Sequence, residues 1–147
     1  MTRTDDLIAE ATTTIDAPAT DVWRALTEPD DVRQWMFGTT LTTSWQEGSP
    51  ITWSGEWQGT TYQDKGTVLR VDEGRLLQFT HFSPLTGLAD TPENYHTVTI
   101  ELSGGHTTAL RLTQDGNDDA EARDHAAQNW RTAIDALKQH VEGRRDA

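Results

Sequence analysis

AEARDHAAQNWRTAIDALKQHVE, residues 120–142, is the stretch whose reading decides the fold. Ala126, Trp130, Ala133, Ile134, Leu137 and Val141 recur at spacings of three and four, the period of one helical face. Asp118 and Asp119 stand at its positive end, and Gly143 with Arg144 and Arg145 at its negative end, as the helix dipole favours. Working back along the chain, the period changes to two. Thr107 to Gln114 and Tyr95 to Leu102 alternate as strands around a Gly104-Gly105 turn, with His96, Val98, Ile100 and Leu102 on one face. Leu77, Phe79 and His81 alternate in a further strand. A long strand spans 61 to 71, with Tyr62, Gly66 and Val68 opposing Thr67, Leu69 and Val71; either set can face inward. Ile51, Trp53, Gly55 and Trp57 share one face, as do Leu41, Thr43 and Trp45, with Gly48-Ser49-Pro50 turning between them. Residues 83–94, with two Pro and a Gly, read as a mobile loop. Two short helices near Pro18 and Pro29 follow a first strand at 7–16. A run of antiparallel strands with one apolar face must cover that face, and the C-terminal helix is the one element long and apolar enough to do so. The fold class is therefore α+β: a curved antiparallel sheet of about seven strands wrapped around a long C-terminal helix, as one domain over 1–147.

Composition narrows the function. There is no Cys, so disulfides, thiolate zinc sites and Cys nucleophiles are excluded. The formal net charge of −12 repels phosphate backbones and anionic lipid, so neither nucleic acid nor a membrane surface is an expected partner. The acid excess reads as a solubility device or as a docking face for a basic partner. Residues 1–15 lack the apolar core of a secretory signal, and no apolar run approaches the roughly 20 residues that cross a bilayer; the expected location is the cytoplasm. No nucleophile elbow, phosphate-cradling Gly loop or dinucleotide fingerprint is present, and no cofactor is expected. Glu121 and His125 are four apart on the last helix but lack a third ligand, so no metal site is expected. His106 and His140 read as surface residues, and the pairs Asp30-Asp31, Asp72-Glu73 and Asp118-Asp119 as caps and turns.

The segments IDAPATDVWRALTEPDDVRQW (15–35), KGTVLRV (65–71), RLLQFT (75–80), TVTIEL (97–102), TALRLT (108–113) and NWRTAIDALK (129–138) together resemble the SRPBCC (START-like) superfamily. The nearest branch is the one homologous to the activator of the heat-shock-protein-90 ATPase. The resemblance implies a helix-grip fold with a cavity between sheet and long helix. It also implies relatives that bind lipids, polyketides or other apolar compounds, and some that act as cyclases or hydrolases. Where relatives often carry Trp, this chain has His81.

Candidate ligand-binding residues follow from the parity of the strands. Trp35, Phe37, Trp45, Trp53, Trp57, Phe79, Trp130 and Ile134 supply apolar walls, which are either plain core or the lining of a pocket. Ala122, Ala126 and Ala133 leave room opposite them; a ligand pocket typically measures about 300–1,000 Å³. His81, His96 and Gln114 share a face and either orient a ligand's polar end or sit in water at strand ends. The first function expected is binding of an apolar or amphipathic small molecule entering under loop 83–94 and beside Trp35–Phe37. A cyclase, dehydratase or hydrolase using His81 or His96 as acid–base is the alternative, and a protein-interaction domain the third.

Overall fold

The computed structural model describes residues 7–84 and 87–146, with the side chains of Trp57 and of residues 144–146 outside that description. Part of the 83–94 loop and the first residues of the amino-terminal stretch therefore lie outside the described residues. The element order is β1 (Ala9–Ile15), α1 (Ala19–Thr27), α2 (Pro29–Trp35), β2 (Thr40–Thr43), β3 (Pro50–Trp57), β4 (Thr60–Asp72), β5 (Leu76–His81), β6 (His96–Gly104), β7 (Thr108–Gln114) and α3 (Ala120–Asp146). The strands form one antiparallel sheet in the order β1-β7-β6-β5-β4-β3-β2. This is the α+β helix-grip architecture.

Each helix begins where its sequence permits. Pro18 occupies the N-cap of α1, whose Val22, Ala25 and Leu26 turn inward. Pro29 opens α2, at a position where its missing N–H costs no intrahelical bond. α2 then stops at Met36, and Phe37 (φ 56°) and Gly38 (φ 91°) turn the chain away in left-handed conformation. Of the Asp30-Asp31 pair, only Asp30 is solvated. Asp31 is buried, and its carboxylate accepts a hydrogen bond from His140 Nε2 at 2.8 Å. This corrects the surface reading of His140, whose side chain is 11% exposed and ties α3 to α2.

The hairpin between β3 and β4 sets the parity of the long strand. Gln58 (φ 50°) and Gly59 (φ 80°) make a two-residue turn with both φ values positive, pairing Trp57 with Thr60 and hence Trp53 with Asp64 and Ile51 with Gly66. Tyr62, Asp64, Gly66 and Val68 thus share the inner face with Trp53. At Leu69 one extra residue intervenes, since Val68 pairs Phe79 while Arg70 already pairs Gln78. The bulge flips the alternation, so Leu69 is 38% exposed and Val71 packs against the core. A side chain on Gly66 would run into the Thr80 carbonyl, so glycine is what lets β5 cross β4 closely there.

The core lies between the concave face and the helices. Ile15, Val22, Ile51, Val68, Leu77, Val98, Leu110, Leu112, Ile134 and Leu137 are fully buried within it. α3 packs chiefly along β1 and touches α1 and α2. Lys138 Nζ donates to the Thr14 carbonyl at 2.6 Å, and Glu142 Oε2 accepts from the Asp16 N–H at 2.8 Å. No helix among the described residues is long and apolar enough to cross a membrane.

Candidate functional site

Where α1 and α2 arch over β2–β5, the core is incompletely filled. A cavity of about 110 Å³ remains. One wall is Leu26, Val32, Trp35 and Met36 from the short helices; the other is Leu41, Trp53, Leu77, Phe79 and Ile100 from the sheet. Trp45 and Trp130 complete the apolar lining. The indoles are held by the protein. Trp35 Nε1 donates to the Ala25 carbonyl at 2.8 Å, and Trp45 Nε1 to the Thr27 carbonyl at 3.0 Å. Both acceptors belong to the last turn of α1, whose carbonyls have no partner within the helix. Trp53 packs on Phe79 with ring centroids 5.3 Å apart, and edge-on to His81 at 5.1 Å.

Four polar side chains interrupt this lining: Thr39, Tyr62, Asp64 and His81. Thr39 Oγ1 gives its one hydrogen to the Met36 carbonyl at 2.7 Å, so the Tyr62 hydroxyl is the donor in the 2.9 Å contact between the two. Tyr62 reaches that position because residue 55 is glycine; a Cβ there would lie 2.5 Å from the Tyr62 hydroxyl oxygen. His81 Nε2 lies 2.9 Å from Asp64 Oδ2. An ionised carboxylate only accepts, so Nε2–H is the donor in this contact, and a neutral ring then has its acceptor at Nδ1.

A second, wider groove of about 520 Å³ runs between Ser83, Leu88, Glu93 and Asn94 on one side and the first half of α3 on the other. Its floor is His96, Gln114 and Trp130, and its rims are Leu88, Glu93 and Asn94 on one side and Ala122, His125, Ala126 and Asn129 on the other. His81 and Trp130 border both spaces. Trp130 is fixed there by its Nε1–H, donated to Gln114 Oε1 at 2.5 Å. His96 donates from Nδ1 to the Asp115 carbonyl at 2.8 Å. The loop itself is strapped to the sheet: Asp90 pairs with Lys65 and accepts from the Tyr95 hydroxyl at 2.6 Å, and Tyr95 stacks on Phe82. Hydrogen bonding to Lys65, then to Tyr95, holds the Asp90 carboxyl below the usual carboxylate range. The same contacts hold Lys65 and the Tyr95 phenol above their ordinary values, Asp90 being the main cause in each.

Of the residues singled out from sequence, Trp35, Trp45, Trp53, Phe79 and His81 line the inner cavity, His81, His96 and Gln114 line the groove, and Trp130 lines both. Phe37 lines neither. It is 74% exposed, because the left-handed turn after α2 carries its ring outward. Ile134 lies in neither lining and is buried in the packed core. The side chain of Trp57 lies outside the described residues. Asp64 and Tyr62, central here, follow from the parity that the Gln58-Gly59 turn imposes, the sequence signal that reveals them. Glu121 and His125 sit on an exposed face of α3, and the described residues contain no group of three or more potential metal ligands.

Relatives share this architecture. The solution structure of ChR145 from Cytophaga hutchinsonii is 46% identical, covers 95% of this chain and 97% of its own, and superposes with a TM-score of 0.82. The crystal structure of MLL2253 from Mesorhizobium loti is 25% identical over 92% of this chain and 96% of its own, with a TM-score of 0.73. DynU16, a protein of the dynemicin biosynthetic locus, is 20% identical over 92% of this chain and 47% of its own, with a TM-score of 0.75, a likeness of fold alone. Among curated proteins no sequence matches. The helix-grip sheet, its long closing helix and the match of residues 16–142 to the model described as Activator of Hsp90 ATPase homolog 1-like protein lead to one assignment: the chain belongs to that family.

Proposed function

We propose that this protein binds an apolar or amphipathic small molecule between its sheet and α3. The observation that carries this reading is the pair of adjoining spaces at His81 and Trp130, one narrow and mainly apolar, one wider and more polar. A space of about 110 Å³ is below the usual size of a ligand pocket, so it takes one ring or a short chain, and the groove takes the remainder. Burial of the apolar part supplies affinity at about 25 cal/mol per Å². His81 orients a polar group in the cavity, and His96 and Gln114 orient any polar group on the part that lies in the groove. That DynU16 belongs to a biosynthetic locus is in keeping with small-molecule work by this fold. The protein acts in the cytoplasm, and its net charge of −12 keeps it from nucleic acid and anionic membranes.

The Asp64–His81 hydrogen bond favours a second reading on the same site. A carboxylate that fixes the tautomer of an imidazole is the arrangement of a general base, with Nδ1 as the accepting atom. On this reading the ligand is converted, and His81→Ala abolishes conversion while retaining binding. His96 suits that role less, since its Nδ1–H is given to a backbone carbonyl.

The test is native mass spectrometry of the protein as purified, followed by titration of tryptophan fluorescence with toluene, p-cresol and p-pentylphenol. Saturable quenching with a rise in Tm is expected. No change in fluorescence or Tm with any of the three at millimolar concentration overturns the proposal.

A further inference from the structure

The inner cavity contains one acceptor that the protein leaves unused. Asp64 Oδ1 is buried and has no hydrogen-bond partner among the described residues, where it is the one buried side-chain nitrogen or oxygen so placed. Its sister atom Oδ2 is engaged by His81, and the Asp64 side chain as a whole is 18% exposed. A buried carboxylate oxygen without a donor, in a cavity lined by Trp53, Phe79 and Leu77, is costly, by about 1–3 kcal/mol on the scale of buried polar groups. The neighbouring donors do not relieve it. Tyr62 gives its hydrogen to Thr39, Thr39 gives its own to Met36, and the indoles of Trp35, Trp45 and Trp130 are committed to protein oxygens. Asp64 stands opposite Trp53 in the register, in the middle of two paired strands, so the carboxylate is not free to swing out to water as a strand-end residue would be.

From this geometry we infer that the cavity takes the hydroxyl-bearing end of its ligand, a phenol or a short alcohol, whose O–H donates to Asp64 Oδ1. The inference deepens the binding proposal and rests on it. The ligand class is narrowed in three ways. The unfilled need is for a donor, so ethers, esters and ketones of the same shape lack the matching group. The walls are apolar, so a neutral hydroxyl enters at less desolvation cost than an ammonium ion, whose burial is favourable only with full pairing. The space of 110 Å³ is somewhat smaller than the ~150 Å³ cavity known to hold benzene, so a single ring fits only with a small adjustment of its lining, which the flexible Met36 side chain permits. A longer substituent passes His81 and Trp130 into the groove. Asp64 would then bridge the ligand hydroxyl and the His81 imidazole through its two oxygens.

The test uses four single-ring probes of similar size, toluene, anisole, phenol and benzylamine, titrated by calorimetry or by the indole N–H resonances into the whole protein and into Asp64→Leu and Asp64→Asn. Phenol should bind at least about tenfold more tightly than toluene or anisole, equivalent to about 1.4 kcal/mol. Asp64→Leu should erase that preference while toluene still binds, and Asp64→Asn, which keeps a weaker acceptor, should leave an intermediate one. Equal binding of phenol, anisole and toluene overturns the inference and leaves the binding proposal standing. Tightest binding by benzylamine overturns the choice of a neutral donor. Failure of all four to bind overturns both. If Asp64→Leu does not fold, the ranking of the four probes on the unaltered protein decides alone.

Discussion

The two halves of α3 face the same sheet and do different work. In residues 131–142 the helix is bolted down. Ile134, Leu137 and Val141 are at most 3% exposed, Lys138 holds the β1 backbone at Thr14 and Glu142 the residue after it, Asp16, and His140 reaches Asp31 on α2. In residues 120–130 the same face carries Ala122 and Ala126, both half-buried, and Trp130 stands across to Gln114 instead of filling the space. Large side chains close the core at one end and small ones leave a groove at the other. Stability and binding capacity are thereby separated along one helix, and substitutions of similar size should have opposite consequences in the two halves.

The largest effect is expected at the closed end. Leu137→Ala removes a fully buried side chain and should cost about 2–5 kcal/mol in chemical denaturation; a cost under about 1 kcal/mol would erase the distinction between the halves. Next, Asp31→Ala leaves buried His140 without its acceptor and should cost about 1.5–3 kcal/mol, the range for hydrogen bonds to charged groups. At the open end Ala126→Leu should change stability by no more than about 0.5 kcal/mol, while weakening p-pentylphenol, whose tail needs the groove, at least tenfold relative to p-cresol. Equal weakening of both would show that the tail does not use the groove. The smallest effect sharpens the contrast through pH. Glu142 is held below the usual carboxylate range, by Lys138 first and the Asp16 N–H second. A lowered folded pKa contributes stability that is fully present above the unfolded value of about 4.3 and lost as pH falls through the folded value. Amide protection at residues 138–143, the observed exchange rate set against the intrinsic rate at each pH, should therefore fall in acid, and Glu142→Gln should remove most of that pH dependence.

Periodicity made the architecture readable. The three-four spacing of 120–142 and the alternation of the strands survive translation into a helix and a seven-stranded sheet because burial enforces them. Contacts that join distant residues were not readable in this way. Asp31 and His140 are 109 positions apart, and each alone has the pattern of a solvated helix residue. Phe37 looked like a wall residue because its ring is apolar, whereas the backbone turn that exposes it depends on the left-handed pair with Gly38. Residues 61–71 offered two inward sets because the parity changes at the bulge: Tyr62, Gly66 and Val68 face inward before it and Val71 after it, while Thr67 and Leu69 are exposed. Asp64 was hidden by that ambiguity. Counting outward from the Gln58-Gly59 turn places it opposite Trp53, and a carboxylate opposite a buried Trp is itself a signal of a polar group put there for a reason.

The most direct test of an unfilled helix grip is the Trp130 indole N–H resonance followed during titration with p-pentylphenol. Saturable shifts of Trp130 together with Trp53, at one common Kd and with Ile134 and Leu137 unmoved, are the expected result. An indole spectrum unchanged to the solubility limit, or backbone shifts confined to exposed Phe37 and Leu69, would contradict it.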